Sequence, residues 1–151
     1  MSDKFYPIPI RQLLSQILQS LDKNNSIFGI YESLFYEPDS KSVFSSSIFE
    51  QNLETPLGVA AGPHTQMAQN IISAWLCGAR YIELKTVQTL DEIEVSKPCI
   101  DMQDEGYNCE WSQELKIEES YREYLKAWII IHILQHKFGW STDQGLIFNM
   151  S

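Results

Sequence analysis

The sequence predicts an α/β fold built around a parallel sheet, and two observations indicate this class. Short apolar runs of strand length alternate with longer segments whose apolar residues recur at helical spacing. The order along the chain is strand, helix, strand, long polar excursion, helix and strand, which is typical of parallel strands joined by crossover helices. A helix and a β-hairpin precede this alternation. Because an open three-stranded parallel sheet has edges that need cover, we expect the region to belong to a larger fold.

The chain begins with a predicted helical extension over residues 1–37. Within it, residues 9–23 place five apolar side chains on one helical face, and Pro9 suits the first turn of a helix. These five are Leu13, Leu14, Ile17, Leu18 and Leu21. The sequence NNSIFGI then ends the helix. Residues 38–56 predict two short strands in a hairpin, which opens a second unit over residues 38–151.

The first strand–helix unit contains the stretch ETPLGVAAGPHTQMAQN. Residues 57–61 predict a continuous buried strand, which Gly62-Pro63 ends. Residues 66–77 predict a helix with Thr65 as its N-cap and with Gly78 just past its end, where glycine is favoured. The expected core side of this helix consists of Met67, Ile71, Ala74 and Trp75.

Two more strands and one more helix complete the pattern. Residues 79–87 predict the second strand, residues 88–118 a long polar excursion, residues 119–137 a long helix and residues 145–148 the third strand. The expected core residues of the long helix are Tyr121, Leu125, Trp128, Ile129 and Ile131–Ile133.

The bulk composition argues against several classes of function. The chain has 151 residues and a net charge of −9, so a nucleic-acid partner is not expected. The strongest apolar run, residues 127–134, is too short to cross a membrane, and the N-terminus shows no secretory signal. Cys77, Cys99 and Cys109 show no close pairing, which favours reduced thiols and a cytoplasmic location.

The residues at the ends of the three predicted strands suit a planar cofactor. In parallel α/β folds, functional groups gather at the carboxyl ends of the strands. Small side chains let the backbone approach a ring, a lysine places positive charge beside it, and an asparagine supplies a donor and an acceptor. The three ends are Ala60-Ala61-Gly62, Lys85-Thr86 and Asn149-Met150-Ser151. Taken alone, the small residues also fit close helix–strand packing, and the lysine also fits a solvated strand end.

His64 lies at the same rim, directly after Gly62-Pro63. A histidine there can exchange protons with a bound ligand near neutral pH. It can equally cap the following helix or lie in solvent, and the sequence leaves these alternatives open.

Several motifs resemble the opening unit of a known enzyme family. The strings TPLGVAAG, GARYIELKTV and KPCI resemble, in order and spacing, the first βαβ unit of dihydroorotate dehydrogenases and the related domain of dihydropyrimidine dehydrogenase. LIFNMS is similar to a later strand of that family. SIFGI, AAGPHTQMAQNI, ELKTVQ, KPCID and EYLKAW resemble the N-terminal region of the selenate reductase subunit family, which consists of multidomain flavin and iron–sulfur proteins. The resemblance covers nearly the whole chain.

The resemblance implies a fold and a set of site residues. The fold would be the N-terminal portion of a (β/α)8 TIM barrel of dihydroorotate dehydrogenase type, with FMN at its C-terminal face. Residues 38–151 would then be the hairpin and the first βα units of an incomplete FMN-binding barrel. The residues implied to contact FMN are Ala60, Ala61, Gly62, Lys85, Thr86 and Asn149, with Lys85 near the N1–C2 carbonyl side of the ring. Asn149 and Asn108 are implied to face the substrate, and His64 is a further candidate for substrate contact.

The same resemblance bears on what lies outside the chain. The catalytic base and the FMN phosphate site are expected beyond Ser151. The residues flanking Asn108 depart from the orotate-binding pattern, so orotate is not expected as the substrate, and no residue specifies selenate. The expected partners are a small-molecule substrate and redox subunits or domains. An iron–sulfur cluster and FAD or NAD(P)H would belong to further domains.

No metal site is predicted. His132 and His136 are one helical turn apart, but Ile133 replaces the glutamate of the HExxH motif and no third ligand is evident. Cys99 and Cys109 are too far apart for a usual iron–sulfur motif.

Two hypotheses of function follow. The first is a fragment of a flavin-dependent oxidoreductase that passes electrons between FMN and a small substrate or an iron–sulfur centre. The second is a non-catalytic barrel that serves as a scaffold for redox subunits. In either case residues 1–151 alone are expected to be inactive and to self-associate.

Overall fold

The computed structural model describes residues 4–37, 44–85, 100–101, 107–108, 114–140 and 146–150. Its first helix, α1, spans Ile10–Asn24 and follows Pro9. The buried residues of α1 form a single stripe at a spacing of four, Leu13, Ile17 and Leu21. The buried face of α1 is therefore narrower than the sequence predicts, because Leu18 is 37% exposed.

Two small antiparallel hairpins lie between α1 and the main sheet. In the first, β1 (Ser26–Ile27) pairs with β2 (Ile30–Tyr31). In the second, β3 (Ser46–Ile48) pairs with β4 (Gln51–Leu53). The second hairpin confirms the prediction for residues 38–56. The first was not predicted, because strands of two residues show no alternation of polar and apolar positions.

The remaining elements form the main sheet and its helices. In chain order they are β5 (Gly58–Ala61), α2 (Ala68–Leu76), β6 (Tyr81–Leu84), β7 (Ile100–Asp101), β8 (Tyr107–Asn108), α3 (Ile117–Phe138) and β9 (Ile147–Met150). The sheet order is β5–β6–β9, and both strand pairs are parallel. β7 and β8 form a separate antiparallel pair. The predicted parallel α/β arrangement is therefore confirmed.

The helices cover one face of the sheet. The residues of this face that join the core are Val59, Ala61, Ile82, Leu84 and Phe148. They pack with buried side chains of the three helices, among them Leu13, Ile17, Ile71, Ile72, Trp75, Ile130, Ile131 and Leu134. Because side chains alternate along a strand, Gly58, Ala60, Tyr81 and Glu83 belong to the opposite face.

β5 and α2 differ in detail from the prediction. β5 is not buried throughout, because the described helices cover one face only: Gly58 and Ala60 are exposed, whereas Ala61 is fully buried. Leu57, which precedes the strand, is 51% exposed. α2 begins after Met67, so Thr65 is not its N-cap. The preceding residues form turns instead, in which the N–H of Met67 donates to the carbonyl of His64 at 3.1 Å. Gly78 follows the helix with a φ of +103°, as the sequence predicts.

The predicted core face of α3 is largely wrong. Tyr121, Leu125 and Trp128 are exposed. The buried side of α3 instead consists of Ser120, Glu123, Lys126, Ala127, Ile130, Ile131, Leu134 and Gln135. Of the predicted set, only Ile131 is buried. Among the described residues, no helix is long and apolar enough to span a membrane.

Arg80 anchors the amino-terminal edge of the sheet. Its side chain is 1% exposed, and its Nε pairs with the carboxylate of Glu54. Its Nη1 donates to the carbonyls of Trp75 at 2.9 Å and Ala79 at 3.0 Å. The guanidinium also lies over the rings of Tyr36 and Trp75. These contacts tie the end of α2 to the start of β6, at the edge opposite the candidate site.

Candidate functional site

The carboxyl ends of the three strands lie side by side, as the sequence predicts. Ala60 is opposite Glu83, and Glu83 is opposite Asn149 in the pairing of backbone positions. Lys85 directly follows β6, which is the central strand, and its side chain is half-buried. The structure therefore brings together positions 60, 85 and 149 on one face at this edge. Position 61 belongs to the opposite face, where the Ala61 side chain is fully buried against the helices.

β5 presents little bulk on the face away from the helices. Its residues there are Gly58 and Ala60, so no side chain larger than a methyl group projects from this strand. The ring of Tyr81 lies against Gly58, since a Cβ at that glycine would be 2.8 Å from the Tyr81 Cδ1 atom. At Ala60, nearer the carboxyl edge, a flat group can approach the backbone closely.

Glu83 is a candidate that the sequence analysis missed. It is half-buried and lies in the same row as Ala60 and Asn149. A period of two in the string YIELK places Tyr81, Glu83 and Lys85 on the same side of the strand, and this period is the signal that could have identified it.

The buried residue Gln66 makes several of the hydrogen bonds that hold the turn after β5. The main-chain N–H of Gln66 donates to the carbonyl of Gly62 at 3.1 Å, and its side-chain Nε2 donates to the carbonyl of Ala61 at 3.2 Å. The side-chain Oε1 accepts a hydrogen bond from the hydroxyl of Tyr124 on α3. Burial raises the pKa of Tyr124 to about 12; a hydrogen bond with Ser120 lowers this pKa, and the charge of Glu123 adds to the increase.

The amino terminus of α2 is capped by a carboxylate from another helix. Glu123 Oε2 accepts the main-chain N–H of Ala68 at 2.9 Å, and Glu123 Oε1 pairs with Lys126. A helix N-terminus at this edge of a sheet is a common site for a phosphate. Here the protein's own carboxylate uses a first-turn N–H, so this terminus does not suit a phosphate. The cap was missed because 55 residues separate Glu123 from Ala68 in the sequence.

His64 lies on the rim of the same edge with an exposed ring. The ring packs edge-on against Phe5, with the centroids 4.8 Å apart. Its carbonyl accepts a hydrogen bond from Asn70 Nδ2 at 2.7 Å. His64 thus contributes to the turn through its backbone, while the imidazole faces the N-terminal segment and solvent.

Some of the predicted site residues lie outside the described part of the chain, and others are described by their backbone alone. Thr86, Cys99, Cys109 and Ser151 lie outside the described residues. Asn108 lies in β8, where it pairs with Ile100, and Asn149 lies in β9; for both, the backbone position alone is described.

The two histidines of α3 lie on its outer side. His132 packs edge-on against Trp128, with the ring centroids 4.3 Å apart. Trp128, Ile129, His132, Ile133 and His136 line an open apolar cavity of about 440 Å³. Within the described ranges, no group of three or more His, Cys, Asp or Glu side chains is placed to hold a metal ion.

Comparison with known proteins assigns the family. The model of the N-terminal TIM-barrel domain of oxidoreductase YgfK matches residues 28–151. The chain belongs to this family. Its fold class is therefore that of a TIM barrel, and β5–α2–β6–α3–β9 is a succession of its βα units. In such a barrel the helices lie outside, so Gly58, Ala60, Tyr81 and Glu83 lie on the inner face of the sheet.

The curated relatives are much longer than this chain. The chain is 50% identical over 153 aligned residues to proteins named "Putative oxidoreductase YgfK" from Escherichia coli K12 and from Escherichia coli O157:H7. All of this chain is covered, but it spans 14% of the length of either relative. No solved structure gives a significant match. The candidate edge lies where TIM-barrel enzymes place their active sites.

Proposed function

We propose that this region forms one side of the flavin-binding mouth of an oxidoreductase barrel. The proposal rests on one observation: the small residues at the end of β5, the lysine after β6 and the asparagine of β9 lie side by side. The names of the relatives support redox chemistry. The resemblance to dihydroorotate dehydrogenases supports FMN as the cofactor.

The chemistry of this edge fits a flavin ring. Ala60 leaves the β5 side of the mouth open, and the carbonyl of Ala61 is bonded to Gln66 rather than exposed. Lys85 supplies a cation beside the ring, where it would stabilise the negative charge that accumulates at the N1–C2 side on reduction. When bound, FMN would supply hydride and single-electron transfer.

Substrate and partners belong to the same proposal. Asn149 would orient a small substrate with its amide, and Asn108 would complete the substrate side. The His64 ring packs against Phe5, so His64 would support the rim rather than contact the substrate directly. Thr86 and Gly62 would add contacts to the ring. Because the capped terminus of α2 does not suit a phosphate, the FMN phosphate would bind to another part of the barrel, as would the catalytic base. Iron–sulfur and FAD or NAD(P)H domains of a cytoplasmic multidomain protein would be the electron partners.

The test is to express the product of the complete reading frame and extract its cofactor. We expect a yellow protein that releases FMN on denaturation. The Lys85→Ala variant should bind FMN about tenfold more weakly, because one charged interaction is lost. Lys137→Ala is the matched control, since this exposed lysine lies in the last turn of α3, away from the candidate edge.

The same experiment separates the two hypotheses. A colourless, folded product without extractable FMN would contradict the flavin proposal and favour the scaffold hypothesis, in which the barrel docks redox subunits. If the product contains FMN and the Lys85→Ala and Lys137→Ala variants bind it equally well, the flavin proposal stands but the proposed role of Lys85 is wrong.

A further inference from the structure

We infer that Gln66 and Tyr124 are positioning residues, whose hydrogen bonds hold the turn after β5 in the conformation that receives the cofactor ring. The inference rests on the proposed function. It assigns a role to two residues, one in the turn after β5 and the other on α3.

Gln66 controls two successive carbonyl groups. Its backbone N–H binds the Gly62 carbonyl, and its side-chain Nε2 binds the Ala61 carbonyl at 3.2 Å. Gln66 has no exposed surface, so water does not compete for either bond. The orientations of the peptide groups that follow Ala61 and Gly62 are therefore fixed by one residue.

Tyr124 determines which way the Gln66 amide faces. An amide can present either its oxygen or its NH₂ group, and only the NH₂ group can donate to a carbonyl. The Tyr124 hydroxyl donates to Oε1, which leaves Nε2 directed to Ala61. The hydroxyl must remain protonated to do this; any tyrosine is protonated at neutral pH, and the raised pKa of Tyr124 extends this range to more alkaline pH.

The position of Tyr124 is itself fixed. The adjacent Glu123 ties α3 to the first turn of α2 through Ala68. The Tyr124 ring also packs 6.2 Å from the ring of Phe148 on β9, centroid to centroid. The ring is therefore held against β9 while its hydroxyl contacts Gln66, and removing the hydroxyl alone should loosen the turn without removing the ring.

The test compares two identical substitutions on the same helix in the product of the complete reading frame. Tyr124→Phe deletes the hydroxyl that orients Gln66, whereas Tyr121→Phe deletes a hydroxyl from a residue that is 60% exposed. We expect Tyr124→Phe to raise the FMN dissociation constant about tenfold, because a partly buried hydrogen bond is lost and the Gln66 oxygen is left without its donor, and Tyr121→Phe to leave it within about twofold.

A second variant gives a readout that depends on the donor itself. In Gln66→Glu, a carboxylate cannot donate to the Ala61 carbonyl, but a protonated carboxyl group can. Because this site has no exposed surface, it raises the pKa of the introduced carboxyl group. FMN binding by this variant should therefore be strongest at low pH and should weaken as the pH rises through that pKa, whereas Gln66→Met should show no such pH dependence. Thermal melting of each variant reports whether it is folded.

The outcomes are distinguishable. If the unaltered protein binds no FMN, the proposed function and this inference both fail. If it binds FMN and Tyr124→Phe matches Tyr121→Phe, the inference alone is overturned. A Tyr124→Phe protein that melts earlier but keeps the original dissociation constant would show a purely structural role and also overturn it.

Discussion

Burying a charged side chain costs free energy of desolvation, and Glu123 is the clearest example of a buried charge in this region. A buried carboxylate is tolerated when it is paired and hydrogen-bonded. Glu123 has no exposed surface, and its two oxygens bind a main-chain N–H and a buried lysine. Glu123 therefore joins α3 to α2, and its two interactions offset the desolvation cost of its buried charge.

The Glu123→Ala substitution should be strongly destabilising. It leaves the Lys126 cation without its carboxylate partner and uncaps α2, which together should lower the free energy of unfolding by about 3–5 kcal/mol. Glu118→Ala is the matched control, because it removes an exposed i,i+4 pair with Arg122 from the same helix. That change should cost less than about 0.5 kcal/mol. Urea denaturation followed by circular dichroism measures both, and equal midpoints for the two variants would contradict the assignment.

The residues at this scale show where sequence analysis succeeds and fails. Ala60, Lys85 and Asn149 were placed at one edge correctly, because parallel strands end at the same side of a sheet. The roles of Gln66, Glu123 and Tyr124 are not evident from the sequence, because the bonds that join them to other elements, Tyr124 to Gln66 and Glu123 to Ala68, link residues more than 50 positions apart. The predicted core face of α3 is wrong for a related reason: local periodicity favours the large apolar side chains, whereas the buried side carries polar residues such as Glu123, whose bond to Ala68 the periodicity does not show.

At the scale of elements, the junction between α2 and β6 depends on a glycine. Gly78 has a φ of +103°, and a Cβ there would lie 3.2 Å from Cγ of Tyr36. Its carbonyl accepts the hydroxyl of Thr55 at 2.6 Å, and the N–H of Tyr36 donates to the carbonyl of Leu76 at 2.8 Å. The chain reversal after α2 is therefore packed against two earlier segments.

We expect Gly78→Ala to be more destabilising than other glycine substitutions at positive φ. Gly29 and Gly139 also have positive φ, but a Cβ at either would meet no atom within 4 Å. Gly29→Ala and Gly139→Ala should therefore cost only the backbone strain of about 1 kcal/mol, whereas Gly78→Ala should cost roughly twice as much or more because Tyr36 must also move. Denaturation midpoints of the three variants test this order. If the Gly78→Ala protein is as stable as the other two variants, the Tyr36 side chain can move aside without lowering the free energy of unfolding.

The order of the main elements was predictable, but their exact ends were not. The alternation of strand and helix signals identified β5, α2, β6, α3 and β9 and their parallel pairing. The start of α2 was placed too early because Thr65 is a good N-cap by residue type. In the structure Thr65 lies in a turn that hydrogen bonds of Gln66 stabilise. A preference for threonine at N-caps does not take these hydrogen bonds into account.

At the scale of the whole molecule, the described surface is unusually apolar on α3. Tyr121, Leu125, Trp128 and Ile133 are all exposed large side chains of this helix. In the part of the chain that the structure describes, β5 and β9 each pair along one edge only. Exposed apolar patches and open strand edges both favour association with another protein surface.

Residues 1–151 expressed alone should therefore self-associate, and the α3 surface should contribute to it. Size-exclusion chromatography with light scattering should give a mass that rises with concentration, and more steeply at high salt, because the net charge of −9 then repels less. Trp128→Lys should weaken association at least about tenfold, because it places a charge in an apolar contact. Tyr31→Lys changes a residue of the first hairpin that is 61% exposed and should have little effect. A monomer at every concentration would contradict the prediction. Equal effects of the two substitutions would show that α3 is not the site of association and would favour the open strand edges instead.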